Sequence, residues 1–316
     1  MRREQEWALP EGSLYYIRLD EAHADAVGAQ EGAQAMDGIC ITGFAGLAGE
    51  VVVPAQIGGL DVRVIDKKAF LSKKQLRKVT LPDTVEVVGD WAFAYCSSLH
   101  TVVFAETAGE RSLIFGKSVF LDCDSLRFLY LRQPESATAA LLAAAVTTAQ
   151  APYLLDAHEV GKEEWYRRWD ARLEALLHAP DDEGYSKQVL CGEEDYGSTD
   201  LAAYESAQRK RKVRLLLLRC LYPAGVRPAF RAEMEAYLRA HTAGSPQDET
   251  WQVVCREHGE ERAYYELFAA LGCVTQENLD ELLADAGNAY PELAAYLIRY
   301  KEEQLGHDDF FAGLSL

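Results

Sequence analysis

The stretch WAFAYCSSLHTVVF, residues 91–104, puts Phe93, Leu99, Val102 and Phe104 at uneven steps of 6, 3 and 2. A helix repeats its apolar face about every three to four residues and a strand about every two, so neither element alone accounts for that spacing. Sliding the sequence along itself does. KQLRKVTLPDTVEVVGDWAF (74–93) and CSSLHTVVF (96–104) return as LIFGKSVFLDCDSLRFLYL (113–131). Leu76, Leu99 and Leu126 align, as do Val79, Val102 and Leu129, then Leu81, Phe104 and Leu131. Val88 aligns with Phe115, Gly89 with Gly116, Phe93 with Phe120 and Cys96 with Cys123. The first step is 23 residues and the second 27, the four extra residues fitting a loop near Glu106–Ser112. An incomplete earlier unit, GEVVVPAQIGGLDVRVIDKKAF (49–70), supplies Val51, Val53, Ile65 and Phe70 at matching places.

A period in the low twenties with the pattern L-x-x-V-x-L predicts a solenoid. Each coil contributes a short strand with alternate residues inward and a return segment that turns the chain back. One coil changes direction, so its inward residues cannot follow one period. Phe93 and Phe120 are expected to stack from coil to coil, with Cys96 and Cys123 behind them. A small thiol fits a tight corner that a Leu would overpack.

LPDTVEVVGDWAFAYCSSL (81–99) resembles the BspA-type leucine-rich repeat, with its LP, its hydrophobic-Gly pair, its AF and its C-x-S-L. The resemblance covers roughly residues 39–132. It implies a right-handed β-solenoid-like stack of coils, common in bacterial proteins that bind other proteins and are often exported to the surface.

Charge and composition bound the rest. The 316 residues suffice for two domains of ordinary size, and with 49% apolar residues a packed core is expected. Fifty acidic against 32 basic residues give a net charge of −18, which opposes non-specific binding of nucleic acid. Residues 1–133 hold 18 acids and 14 bases, whereas 134–316 hold 32 and 18. Seven scattered cysteines make no disulfide framework and read as buried or free thiols in a reducing compartment. The start, MRREQEWALPEGSLYYI, has no apolar signal-peptide core, and ATAALLAAAV (137–146) is too short to span a bilayer. Neither Asn278 nor Asn288 begins a glycosylation sequon. The expected location is cytoplasmic, with no membrane partner.

After residue 133 the composition shifts to Ala, Leu, Glu and Arg, so the fold class is α+β by segments: a leucine-rich-repeat coil stack over 1–133 and an α-helical domain over 134–316. Residues 136–149 predict an Ala-rich helix able to cap the open edge of the last coil. KEEWYRRWDARLEALL (162–177) places Trp165, Trp169, Leu173 and Leu176 on one face. An acidic connection follows at 181–200, then a helix that Pro223 stops. Ser245 and Pro246 read as an N-cap and first helical residue. Tyr264, Leu267, Phe268 and Leu271 form a stripe ending at Gly272, Thr275 caps the next helix, and Leu279, Leu282, Leu283 and Ala286 repeat the stripe. Residues 258–297 faintly resemble ankyrin-like helix pairs without their T-P-L-H turn.

Chemical signatures are sparse. Gly116-Lys117-Ser118 lacks the glycine a phosphate loop needs five residues earlier, where Arg111 stands, and Gly116 repeats Gly89. Asp122-Cys123-Asp124 overlays the Tyr95-Cys96-Ser97 of the coil before. Cys255 and His258 sit one turn apart as half a zinc site without a second half. No G-x-S-x-G, H-E-x-x-H or G-x-G-x-x-G occurs, so no catalytic residue, metal or cofactor is assigned. Two basic clusters interrupt the acidic background: Lys67, Lys68, Lys73, Lys74, Arg77 and Lys78, and Arg209, Lys210, Arg211, Lys212 and Arg214. They read as a coil edge and a helix face that neutralises the nearby acids. Nucleic acid is not expected as a partner, because neither domain is positive.

The outer strand face carries the functional reading. With Leu76, Val79 and Leu81 inward, Lys78 and Thr80 point out, followed coil by coil by Thr101 and Val103, then Phe128 and Tyr130. These six are the expected partner-binding residues, with Phe128 and Tyr130 also a candidate seat for the helical half. The sequence thus predicts a non-enzymatic interaction or scaffold protein with a protein partner. Two alternatives stand beside it: a hydrolase or modifying enzyme with its site in 181–220, where Tyr185, Cys191 and Tyr196 gather among acids, and an exported adhesin whose leader is missing.

Overall fold

Short β-branched runs such as KVTL (78–81) and TVVF (101–104) have no local partner, so they form strands only where a later coil brings the next one alongside. The computed structural model describes residues 4–19, 37–105, 113–132, 135–186 and 200–305. The chain folds as two units, Met1–Trp169 and Asp170–Leu316.

In the first unit the strands are β1 (Gln5–Leu9), β2 (Gly12–Leu19), β3 (Gly38–Gly46), β4 (Glu50–Val52), β5 (Gln56–Ile57), β6 (Leu60–Ile65), β7 (Lys78–Leu81), β8 (Val87–Val88), β9 (Thr101–Phe104), β10 (Ile114–Phe115) and β11 (Phe128–Leu131). One parallel sheet has the order β11-β9-β7-β4. A second runs β1-β2-β3-β6-β8-β10, parallel from β3 onward, with β5 paired to β6. The chain alternates between the two sheets and returns through arcs at 66–77, 89–100 and 116–127, giving a β-solenoid of about three turns. The β1–β2 hairpin extends the second sheet antiparallel against β3. The repeat does not reach back to those residues, so the spacing of 39–132 gave no sign of them.

The arcs explain the uneven spacing of residues 91–104. Each arc bonds its neighbour through alternate amides: Lys68, Phe70 and Ser72 N–H donate to the carbonyls of Asp90, Ala92 and Ala94 at 3.0, 2.8 and 2.9 Å. Trp91, Phe93 and Tyr95 repeat this one coil on, to Lys117, Val119 and Leu121. Lys68, Trp91 and Ser118 adopt left-handed φ of 61°, 53° and 51°, and Ser72, Tyr95 and Asp122 do so at 58°, 61° and 53°. Two left-handed residues per arc turn the chain through the corner, a cost the stacked hydrogen bonds offset. Gly89 meets a different demand: a Cβ there would lie 2.5 Å from the Lys67 amide nitrogen, so the coils touch backbone to backbone.

Inside, Phe44, Phe70, Phe93 and Phe120 stack in a ladder with ring centres 5.7, 5.0 and 5.7 Å apart. Cys96 and Cys123 are buried, as their repeat position implied, and each thiol also bonds a backbone group. Cys96 Sγ–H donates to the Phe70 carbonyl and Cys123 Sγ–H to that of Phe93, both at 3.0 Å. The helix α1 (Ser136–Val146) packs on β11, the edge of the first sheet. Its buried face is Ala-rich, and Trp169 Nε1–H reaches back to the Leu141 carbonyl at 3.0 Å. The composition changes at 133/134 but the unit runs on to Trp169, because α1 and the first half of α2 (Glu163–His178) bury Leu141, Trp165 and Trp169 within it.

The second unit is helical: α3 (Leu201–Leu221), α4 (Pro228–Ala240), α5 (Glu249–Gln252, continued as a wider turn over Val253–Glu257), α6 (Arg262–Ala270), α7 (Leu279–Ala286) and α8 (Pro291–Tyr300). Thr275 does not cap the helix, whose N-cap is Asn278; its hydroxyl accepts from Asn278 N–H and Asn278 Oδ1 accepts from Thr275 N–H at 2.9 Å, closing the turn before it. Gly272 stands at φ 73° just past α6. Three other local readings also need correction. Ser245 is no helix cap: its hydroxyl accepts from Gln247 N–H, closing a turn, and the helix begins at Glu249. On α6 the buried ring is Tyr265 rather than Tyr264, which instead stacks on His258 at 3.6 Å. On α2 it is Leu177 rather than Leu176 that joins the core.

Candidate partner-binding face

Strand register places the outward residues in two rows. Glu50 lies beside Lys78, Lys78 beside Thr101, and Thr101 beside Phe128. Val52, Thr80, Val103 and Tyr130 form the parallel row. Their inward alternates Val51, Val79, Val102 and Leu129 are all at most 2% exposed, so the pleat fixes which set faces out. The rows change character along the stack. Val52 is 65% exposed and Lys78 is exposed, whereas Thr80, Thr101, Val103, Phe128 and Tyr130 are half-buried.

At the aromatic end the side chains contact one another. Phe128 and Tyr130 stack with ring centres 5.9 Å apart, and the His100 ring lies 5.8 Å from Phe128. The Tyr130 hydroxyl hydrogen-bonds Ser136 Oγ at 3.2 Å, tying the row to the first turn of α1. His100 Nδ1 lies 3.0 Å from Thr101 Oγ1. His100 was absent from the sequence reading of this face. The signal was available, because the repeat aligns it with Arg77 and Arg127, the polar residue before each strand. A flat face of hydroxyls, one cation and two stacked rings offers area and hydrogen bonds rather than chemistry.

The other candidates resolve into structure. Gly116-Lys117-Ser118 is an arc corner, where Asp90 Oδ1 accepts from Lys117 N–H at 2.6 Å and a Cβ on Gly116 would collide with Asp90. Asp122 and Asp124 flank the buried Cys123 at the next corner. Cys255 is buried, and its thiol is pushed up to about 11 by that burial. His258 meanwhile bonds Glu261 at 2.9 Å. Among the described residues no three His, Cys, Asp or Glu gather to hold a metal.

Three of the five residues in the basic run of α3, Arg209, Lys212 and Arg214, are paired with acids within their own unit. Arg209 Nε–H donates to buried Glu249 at 2.7 Å, and its guanidinium also faces Asp181 and Glu205. Lys212 Nζ donates to Asp181 at 2.7 Å and to the Ala179 carbonyl at 2.6 Å, and Arg214 holds Glu257 through two bonds of 2.7 Å. Of the acidic connection, Asp181–Ser186 are described, and there the Tyr185 ring lies 5.4 Å from Tyr204. Cys191, Glu193, Glu194, Asp195 and Tyr196 lie outside the described residues.

Residues 59–138 match the family model of the BspA type leucine rich repeat region, in 6 copies. The coils are similar to BspA-type leucine-rich repeats. Among solved structures, a leucine rich cell surface protein from Faecalibacterium prausnitzii is similar at 22% identity over 39% of this chain and 29% of that one, with a TM-score of 0.29. The T. pallidum leucine rich repeat protein is similar at 33% identity over 28% of this chain and 50% of that one, with a TM-score of 0.22. A leucine-rich repeat protein from Bacteroides capillosus is 24% identical over 39% and 78% of the two chains, with a TM-score of 0.27. The chain spans under a third of the first and half of the second of these relatives. No curated protein matches it. Among the described residues no helix of these leucine-rich coils or of the helical unit is long and apolar enough to cross a membrane.

Proposed function

We propose that this leucine-rich repeat protein is a non-enzymatic interaction protein that binds a protein partner through the outer face of the β4-β7-β9-β11 sheet. Lys78, Thr80, Thr101, Val103, Phe128 and Tyr130 make the contacts, with Val52 at the rim. The observation that supports this most is the register, which aligns these side chains in two continuous rows of hydroxyl, aliphatic and aromatic groups. Such rows supply area for association with few charges to desolvate. The half-buried, stacked Phe128 and Tyr130 serve as the anchor. We place the protein in a reducing compartment, the cytoplasm, a reading supported by six buried free thiols at Cys40, Cys96, Cys123, Cys220, Cys255 and Cys273.

Site-specific photo-crosslinking tests this. A photoreactive phenylalanine replacing Val103 in the full chain, exposed to a lysate of its own cells, is expected to give one discrete adduct. The same residue at Glu86, just before β8 of the other sheet, is expected to give none, and Thr101→Glu is expected to abolish the adduct from position 103. No adduct from Val103, or an equal one from Glu86, refutes the assignment of the face.

A further inference from the structure

A second surface of the coil stack lies on the arcs, away from the strand rows. Lys67, Lys68 and Lys74 are exposed on the first arc, Trp91 and Tyr95 on the second and Lys117 on the third. Trp91 is 36% exposed and Tyr95 46%, and both are held outward by left-handed backbone at stacked corners. Lys68 Nζ sits 5.5 Å from the centre of the Trp91 ring, so cation and ring already share one site. None of the four lysine ammonium groups pairs with a carboxylate among the described residues, although Asp66 and Asp90 accept from the backbone N–H of Lys67 and Lys117. That contrasts with Arg209, Lys212 and Arg214, each matched to an acid inside its own unit. In a chain of net charge −18, the first arc is therefore strongly net positive, with Lys67, Lys68, Lys73, Lys74 and Arg77 against Asp66, and it lies beside an aromatic platform.

We infer that this arc surface binds an acidic segment of a partner protein, with carboxylates flanking an aromatic or aliphatic side chain. Charge complementarity sets the sign, and the platform sets the apolar residue. Successive arcs are about 4.8 Å apart and an extended peptide advances about 3.3 Å per residue, so residues two apart reach a lysine and a ring one coil away. The same surface disfavours a nucleic-acid strand. Asp122 and Asp124 are exposed on the third arc, beyond Trp91 and Tyr95, where a continuing phosphate chain would meet like charge. A single short acidic stretch ends before reaching them.

The test uses the full chain and fluorescence anisotropy with labelled peptides, one alternating glutamate with phenylalanine and one alternating glutamate with serine. The Glu/Phe probe is expected to bind saturably, and more weakly as salt is raised from about 50 to about 500 mM. Lys67→Glu/Lys68→Glu/Lys74→Glu is expected to weaken it at least roughly tenfold. Trp91→Gly, which suits the left-handed backbone, is expected to bring the Glu/Phe probe down to the affinity of the Glu/Ser probe. Trp91→Asn serves as the second variant for the same position, and thermal melts verify that each variant is folded. The inference is overturned if the Glu/Phe probe does not bind, if the triple reversal leaves its affinity unchanged, or if Trp91→Gly leaves the two probes as far apart as before. Tighter binding of a single-stranded oligonucleotide or of phosphatidylserine vesicles than of the Glu/Phe probe overturns it as well. Thr101→Glu is expected to leave probe binding unchanged, so failure here and failure of the strand-face crosslink are separate results.

Discussion

Phe93→Ala, in the interior of the ladder, should destabilise the coil stack more than truncation of Phe120 at its end. Phe93 is fully buried, with rings on both sides: Phe70 at 5.0 Å and 17° and Phe120 at 5.7 Å and 7°. Truncation removes the transfer free energy of the ring and leaves a cavity that stacked arcs cannot collapse into, because their backbones are already in contact at Gly89 and Gly116. The expected cost is about 3–5 kcal/mol, toward the upper end because two ring pairs are lost, each worth roughly 0.5–1.5 kcal/mol beyond area. Phe120→Ala loses one ladder neighbour and should cost less. With an m-value of about 2 kcal/mol/M in urea, a 4 kcal/mol loss moves the midpoint by about 2 M. The assay is urea unfolding followed by hydrogen exchange in peptides from 76–104, which reads the coils apart from the helical unit. A cost under about 1 kcal/mol, or one no larger than that of Phe120→Ala, would refute the view that the ring ladder holds coil to coil.

Two further outcomes follow from the buried polar groups. Burial raises the Cys96 thiol from 9.0 to about 11, so the folded state keeps a proton that the unfolded chain loses above pH 9. Its contribution is complete below pH 9 and is lost between pH 9 and about 11, at about 1.4 kcal/mol per pH unit. Denaturation at stepped alkaline pH should show that decline added to those of the other buried thiols, and Cys96→Ala should make the slope shallower by the share of one proton; an identical slope in the variant counts against the Cys96 thiol as a source. In the helical unit, Arg219 is fully buried and bonds Asp170 at 2.6 and 3.2 Å, with its remaining donors on the Tyr222 and Ala224 carbonyls. Asp170→Asn should therefore cost about 3–5 kcal/mol by leaving a buried charge uncompensated, whereas Asp170→Leu/Arg219→Met should recover most of it. Thermal melts of the three proteins check this, and a double variant no better than the single would contradict it.

The coil stack was legible because one residue type returns to one place. Phe70, Phe93 and Phe120 share a register only if each coil repeats the last, so three phenylalanines and three leucines fixed the period before any strand was assigned. The outward rows followed from the same register, since a pleat that turns Val79 and Val102 inward must turn Thr80 and Val103 out. What stayed hidden has no period. The β1–β2 hairpin pairs with β3 through backbone groups that carry no side-chain signature, and the helical unit is set by single long-range pairs such as Asp170 with Arg219 and Arg209 with Glu249. A basic run in α3 looks the same in sequence as the basic run of the first arc. Only the fold separates them, because a carboxylate from elsewhere in the unit reaches Arg209, Lys212 and Arg214 whereas the arc sets Lys68 over Trp91 and leaves its lysine ammonium groups without an ion pair. Charge that a fold leaves uncompensated is the part of such a protein that can select a partner, and it emerges only once the compensated charge has been taken away.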